Sequence, residues 1–393
     1  MKRRRTARLR TALDALCAAE DDPAVRELIN VFGTEPAEVR ERTVGEPARR
    51  SRRLVFASGG EIILHDDAVV AVVFRLTSTL TAARGLDLSK WIAGVGNDAT
   101  LDDLAKAVGA RPRFAGLKRP YFEIDGGYLQ PTFTDEGWKK AGNLVGVTVV
   151  ADRPGLACRP EDDDCRICGD LLVRASEPGG GVDVDGTIVA LGTALTSGLL
   201  KEDPNWVRLD DLRMLHAAGL MERVESQITC TTCTRIICFT LFRDRPPTFG
   251  YHVFNDARQR PLEAIPPVEQ WGDDVRITAA REAMRYVDHG EGAWFLVEQK
   301  GAFYLQARYI VTSMVDDSAL IRLDDTEAAA YRGGGHEYLS ELAARIHDNG
   351  PHRETSPYRE RDLFRGVDRE KYREAVTRAI VNHTWLARQR RPG

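Results

Sequence analysis

The sequence predicts an α+β fold in several domains, with mostly antiparallel sheets and a central zinc-knuckle or ribbon region. Three observations predict it. A chain of 393 residues exceeds what one hydrophobic core usually serves. Short runs rich in Val, Ile, Phe and Tyr recur on either side of tight polar turns, the pattern of strands joined as hairpins. Two Cys-x-x-Cys hooks, Cys165-Arg166-Ile167-Cys168 and Cys230-Thr231-Thr232-Cys233, stand in the middle of the chain.

The bulk composition narrows the class. Apolar residues make up 43% and charged residues 29%, as in an ordinary globular protein. A formal net charge of -4 argues against broad binding to nucleic acid or anionic membrane and leaves room only for a local basic patch. No stretch approaches the roughly 20 apolar residues that span a bilayer. Met1-Lys2-Arg3-Arg4-Arg5 looks like the basic head of a signal peptide, but Arg8, Arg10 and Asp14 interrupt the apolar segment that should follow. Asp14 also makes Cys17 a poor lipidation site. The expected compartment is the cytoplasm, where thiols stay reduced and clustered cysteines favour metal over disulfide.

Four regions follow in order. Residues 1–53 read as a basic helical segment: a helix over 5–20, a second opened by Asp22 as N-cap with Pro23 at the first helical position, and a linker at Arg49-Arg50-Ser51-Arg52-Arg53. These arginines read as a solvated tail, with contact to nucleic acid or an acidic partner as the alternative. Residues 54–152 read as an α+β module. Runs 61–65 and 68–76 form a hairpin around Asp66-Asp67. Thr100-Leu101-Asp102-Asp103 is a capping box that opens a helix ending at Gly109, and a second hairpin turns at Gly126-Gly127 before a buried strand at 144–150.

Residues 153–250 form the cysteine region. Gly179-Gly180-Gly181 is a break, helices span 187–200 and 209–218, and strands at 221–229 and 234–242 flank the second hook. Residues 251–393 form a last α+β domain: a helix over 277–287, a hairpin around Lys300-Gly301, and helices over 327–331, 336–347 and 369–388.

Six of the seven cysteines fall in two groups, Cys158, Cys165, Cys168 and Cys230, Cys233, Cys238. Zinc accepts four thiolates in a tetrahedron, and a Cys-x-x-Cys turn delivers two of them without strain. The chosen ligands are therefore Cys165, Cys168, Cys230 and Cys233. Cys158 could replace one of them, while Cys238, inside Ile236-Ile237-Cys238-Phe239, reads as core packing. Cys168-Gly169 looks like a knuckle in which Gly turns backbone amides toward sulfur. Glu161-Asp162-Asp163-Asp164 would raise nearby thiol pKa values and serve a bound cation as an outer field. Four cysteines leave no open position for water, so this zinc would be structural.

Other candidates carry less. His216 reads as structural rather than as a ligand. His336-Glu337 lacks the second histidine of a zincin motif, and His336 and His347 lie about three turns apart on a helix. With His352 and His383 they enrich the last domain in imidazole, but no motif orders them into an active site. Gly333-Gly334-Gly335 reads as a helix break. Asp183-Val184-Asp185-Gly186 reads as a turn, because Ala194 stands where a calcium loop needs its Glu. Residues 209–242 resemble the helix-plus-wing half of a winged helix, with few cations on the ribbon.

Thr100-Leu101-Asp102-Asp103-Leu104, Gly109, Tyr121-Phe122-Glu123-Ile124, Gly126-Gly127 and Leu144-Val145-Gly146-Val147 together resemble modules common in bacterial toxin-immunity proteins. The resemblance covers about an eighth of the chain. It implies a binding protein that masks a partner's surface, and it transfers no catalytic residue. The expected role is thus zinc-stabilised, non-catalytic protein–protein recognition, as an immunity or regulatory factor for a bacterial effector. The alternatives are a winged-helix DNA regulator using Arg3-Arg4-Arg5 or Arg49-Arg50, and an enzyme with its site in the histidine-bearing last domain. A protein partner is expected, nucleic acid is not favoured, and no membrane is involved.

Overall fold

The computed structural model describes residues 7–115, 119–134, 136–176, 181–261, 263–312 and 315–382. Arg3-Arg4-Arg5, Gly179, Gly180 and His383 lie outside the described residues. The fold is α+β with three antiparallel sheets. The chain divides into two compact units, residues 1–201 with 227–240 and 246–260, and residues 202–226 with 241–245 and 261–393. The boundaries expected at 53/54, 152/153 and 250/251 all fall inside segments of the first unit.

The first unit is built on eight strands: β1 (Glu38–Val44), β2 (Arg49–Val55), β3 (Gly60–His65), β4 (Ala68–Arg75), β5 (Arg113–Phe114), β6 (Pro120–Ile124), β7 (Gly127–Phe133) and β8 (Leu144–Val150). Their order is β1-β2-β3-β4-β8-β7-β6-β5. The hairpin at Asp66-Asp67 forms as expected, both residues adopting the left-handed backbone that a two-residue loop requires. Helices Pro23–Phe32 and Leu101–Val108 start on the predicted caps, Asp22 and the Thr100–Asp103 box, and Gly109 closes the second at φ 69°. Leu9, Leu13, Val25, Leu28 and Phe32 from the first two helices bury one sheet face, against Ile62, Leu64, Val72 and Phe74.

Two expectations fail here: the helix expected over 5–20 spans only Ala7–Asp14 among the described residues, with Ala19 bridging to Ala68, and the expected linker is absent. Residues 49–53 are not a linker but the start of β2, all paired with β1, and 51–53 also paired with β3. β1 was itself not anticipated. The strands form because their arginines meet carboxylates: Arg50 bonds Glu41 at 2.6 Å, and Arg53 bonds buried Glu61 at 2.6 Å. Arg52 pairs with Glu20.

A second sheet has the order β12-β11-β10-β9, from β9 (Leu200–Glu202), β10 (Arg223–Cys230), β11 (Ile236–Phe242) and β12 (Thr248–His252). The second hook is the turn between β10 and β11, as predicted. Helix Val184–Thr196 starts on Asp183, whose side chain accepts from the Gly186 N–H, so the Asp183–Gly186 segment is a cap. Helix Leu209–Ala217 ends before Gly219 at φ 65°.

The third sheet, in the second unit, is a meander of β13 (Arg285–Gly290), β14 (Trp294–Gln299), β15 (Ala302–Thr312) and β16 (Val315–Arg322). The helix expected over 277–287 is shorter: it spans Asp274–Glu282, and the chain then turns into β13, pairing Arg285 with Glu298. Helix Asp325–Asn349 covers one face through Leu339, Leu342, Ala343 and Ile346, packed on Leu296, Leu305 and Ala307. Gly335 interrupts it at φ 56°, ψ -138°, the break read from the glycine run. Helix Arg369–Asn382 covers the other face through Val376 and Ala379, against Val297, Tyr304 and Leu320. Among the described residues, no helix is long and apolar enough to cross a membrane.

Candidate metal centre

The two hooks reach one point by different local devices. Before the first, Pro160–Asp164 form a 3-10 turn, and the Cys165 N–H bonds the Asp162 carbonyl at 3.0 Å. The Gly169 N–H then bonds the Cys165 carbonyl at 2.8 Å, closing the turn around Arg166-Ile167-Cys168. Gly169 is not left-handed and sends its amide to a carbonyl rather than to sulfur. Its role is close approach: a Cβ there would stand 2.5 Å from Arg42 Nη1 and 2.7 Å from the Cys165 carbonyl oxygen.

The second hook is the true knuckle. The Cys230 N–H bonds the Arg235 carbonyl at 2.9 Å and the Thr234 N–H bonds the Cys230 carbonyl at 3.0 Å. Backbone N–H groups of Thr232 and Cys233 donate to the Cys230 sulfur, and that of Arg235 donates to the Cys233 sulfur. The residue in the left-handed region is Thr234, at φ 64°.

The four expected cysteines converge. Their sulfurs all lie within 4.8 Å of one another, with Cys165 Sγ 3.9 Å from Cys230 Sγ and Cys168 Sγ 3.5 Å from Cys233 Sγ. A tetrahedron of sulfurs at about 2.3 Å from a zinc ion has edges of about 3.8 Å, so the spacing fits an ion at the centre. Cys168 and Cys230 are fully buried, Cys233 nearly so, and Cys165 is 9% exposed. The group can hold a soft-ligand metal ion, for which a closed all-thiolate shell is the matching donor set.

The electrostatics differ from what the acidic run suggested. Arg235, buried behind the cluster, donates to Cys168 Sγ at 3.3 Å and to Asp163 Oδ1 at 2.9 Å, and its guanidinium stacks over Tyr251 at 3.9 Å. Tyr251 in turn donates its hydroxyl to the Cys168 carbonyl at 2.5 Å. Asp163 also accepts from Arg49 at 3.2 Å and lies 2.9 Å from His65 Nε2. The neighbouring acids are likewise engaged: Asp162 with Arg159 at 2.7 Å, Asp164 with Arg53 at 2.6 Å, and Glu161 with Thr148 at 2.6 Å. The carboxylates are therefore spent on arginines and polar groups, and the charge that touches sulfur is a cation.

Burial pushes Asp163 up, but the His65 hydrogen bond and the Arg49 and Arg235 charges outweigh it and hold the carboxyl below its ordinary range. The Cys168–Cys233 hydrogen bond separates those two thiols: Cys233, which accepts, is held well below the usual thiol range, and Cys168 is pushed above it. Burial raises Cys230 and drives Cys158 up to about 12, an inert thiol.

The remaining sequence candidates stand apart. Cys158 is half-buried and outside the group of four. Cys238 packs with Ile236 and Ala257, as read from its apolar run. His216 Nε2 lies 3.0 Å from the Phe242 carbonyl oxygen, so that ring is structural. The tip of the ribbon once compared to a wing belongs to the cysteine group. Arg49, Arg50, Arg52 and Arg53 are all paired with carboxylates. Arg235, His65 and Tyr251 were not anticipated, and Asp163 was expected only as part of an outer acidic field. The available signal was Arg235 itself, a charge opening the buried run Ile236-Ile237-Cys238-Phe239, since such a charge requires a partner.

No family model, curated protein or solved structure matches this chain.

Proposed function

We propose that this chain is a non-catalytic recognition protein whose first unit is braced by one structural zinc on Cys165, Cys168, Cys230 and Cys233. The observation that carries the reading is the convergence of four largely buried sulfurs, two from each hook, 65 residues apart in sequence for each facing pair. Four thiolates saturate the ion, so the metal activates no water and serves as a cross-link. Its binding free energy is then folding free energy for the first unit. Arg235 offsets part of the negative charge that four thiolates place around a divalent ion. Such a site persists in a reducing compartment, which supports a cytoplasmic role. The likeness of residues 100–150 to toxin-immunity modules supports a partner-masking role, with an effector of bacterial origin as the partner class.

Elemental analysis of protein purified without added metal is expected to give about one zinc per chain. Chelator under reducing conditions should remove it and lower the urea midpoint of the first unit, and Cys233→Ser should do the same. Metal-free protein as stable as the native form would overturn the structural reading. The recognition reading is tested by co-expression with the products of adjacent genes, followed by size-exclusion chromatography of the zinc-loaded protein. Absence of a complex with every neighbour would overturn it.

A further inference from the structure

The second unit contains an open cleft of about 800 Å3, lined by the 290–294 turn, by Arg308, Ile310 and Thr312 of β15 and Val315 and Asp316 of β16, and by helix residues between 336 and 348. That volume is in the range of ligand sites. Its polar lining is one-sided. His336 Nδ1 lies 2.9 Å from Asp288 Oδ2, and the ring packs against buried Trp294, their centroids 5.0 Å apart. His347 Nδ1 lies 3.2 Å from the Arg308 carbonyl oxygen. Each imidazole thus donates its Nδ1–H to a fixed oxygen and, when neutral, keeps Nε2 as an acceptor. Among the described residues, the carboxylates of Glu291 and Asp348 have no hydrogen-bond or ion-pair partner. The cation on the lining, Arg308, is already bound to Asp316. Thr312 and Ser340, whose hydroxyl accepts from the Trp294 Nε1–H at 3.3 Å, also line the cleft; the ionisable groups left on offer are two carboxylates and two imidazoles, whose free atoms accept.

The apolar lining is also exposed. Ile310 and Val315 are 55% and 54% exposed, and Ala344, an exposed helix position, lines the same cleft. Apolar surface flanked by unpaired acceptors is complementary to donor-rich cations carried among apolar side chains.

We propose that this cleft binds a basic segment of a partner protein, in which Arg or Lys side chains alternate with aliphatic ones. The proposal rests on the recognition reading and adds the chemistry of the partner. Guanidinium or ammonium groups meet Glu291, Asp348 and the two imidazole acceptors, while aliphatic side chains cover Ile310, Val315 and Ala344. The charged contacts sit at a solvent-facing rim, so they set partner choice and salt sensitivity more than raw affinity.

The test uses zinc-loaded, full-length protein and a fluorescein-labelled ten-residue peptide of alternating arginine and leucine, read by anisotropy. Saturable one-to-one binding that weakens with salt is expected. A glutamate–leucine peptide and an arginine–glycine–serine peptide should bind at least about tenfold more weakly. Removing both free carboxylates with Glu291→Gln and Asp348→Asn should weaken the arginine–leucine peptide at least about fivefold, the scale of two rim ion pairs. Ala344→Arg, on an exposed helix position that leaves the core untouched, should weaken it further by blocking the cleft and reversing its charge. Unchanged affinity in both variants, or no saturable binding by the wild type, would overturn the proposal. Equal competition by free arginine amide would overturn it too, by showing a small-cation site. Failure here is distinct from failure of the recognition reading: an effector that binds wild type and Ala344→Arg equally keeps recognition and removes the cleft from it.

Discussion

Asp163 is the residue on which the charge balance behind the sulfurs turns, and Asp163→Asn isolates its charge at nearly constant shape. The carboxylate is 4% exposed and meets Arg235 at 2.9 Å, His65 at 2.9 Å and Arg49 at 3.2 Å. The three contacts are unequal. The Arg49 side chain is 41% exposed, so its pair is worth at most about 1 kcal/mol. The Arg235 side chain is 2% exposed, and removing one partner of a buried pair costs about 3–5 kcal/mol, because the other charge is left without compensation. Arg235 keeps its bond to Cys168 Sγ, but a thiolate shared with a metal ion replaces a carboxylate poorly. Asp163→Asn is therefore expected to destabilise the zinc-loaded protein by about 3–5 kcal/mol, which at about 2–4 °C per kcal/mol lowers the melting temperature by about 6–20 °C. Arg49→Ala, which removes the exposed partner alone, should cost under about 1 kcal/mol. Both are read by urea unfolding at pH 7 with zinc content measured on the same samples. Equal, small losses for the two variants would refute the ranking, and with it the claim that the buried Arg235–Asp163 pair supports the hook.

Two further outcomes follow from the same geometry. Glu61 is pushed up by burial, but the charges of Arg53 and Arg75 outweigh this and hold its carboxyl below the usual range. A depressed acid stabilises the fold above its unfolded pKa, near 4.3, and that stability is lost as pH falls through the lower folded value. The gap in urea midpoint between wild type and Glu61→Gln should thus be full at pH 7 and shrink below about pH 4; a gap that widens in acid would contradict this assignment. Thr234→Gly removes a β-branched residue from the left-handed region and should raise the unfolding free energy by up to about 1 kcal/mol, part of the relief being lost with the Arg119 hydrogen bond to the Thr234 hydroxyl; urea unfolding reads it, and a loss of stability would contradict the strain.

What the sequence made visible was local. The capping box at Thr100, the Asp22-Pro23 start, the two-residue turn at Asp66-Asp67 and the break at Gly335 each rest on a few neighbouring residues, and each stands where the pattern put it. β13 was hidden because Arg285–Gly290 follows a helix without a proline or glycine to end it; Tyr286 and Val287 favour a strand, and pairing with β14 decides the matter. In the same way the hooks were legible as pairs of thiols. Which sulfur faces which, Cys165 toward Cys230 and Cys168 toward Cys233, depends on the register of distant segments that no spacing records.

The two charge runs show why local pattern fell short at the site. Arg49-Arg50-Ser51-Arg52-Arg53 read as a solvated linker, and Glu161-Asp162-Asp163-Asp164 as an acidic field around a metal. Within the first unit several of these charges are each other's partners: Arg49 meets Asp163, Arg53 meets Asp164, and Arg42 lies 3.4 Å from Asp164. A run of like charge cannot be buried alone, since each member would lose its hydration without return. Two runs of opposite sign can be buried together, and only the fold brings them together. That pairing changes the chemistry of the hook. Asp163 and Asp164 are engaged by arginines of β2, and beside the sulfurs Arg235 supplies attraction. The acidic run does help burial to raise Cys158 through Asp162 and Asp163, and it also anchors the cation that favours the thiolates of Cys168 and Cys233.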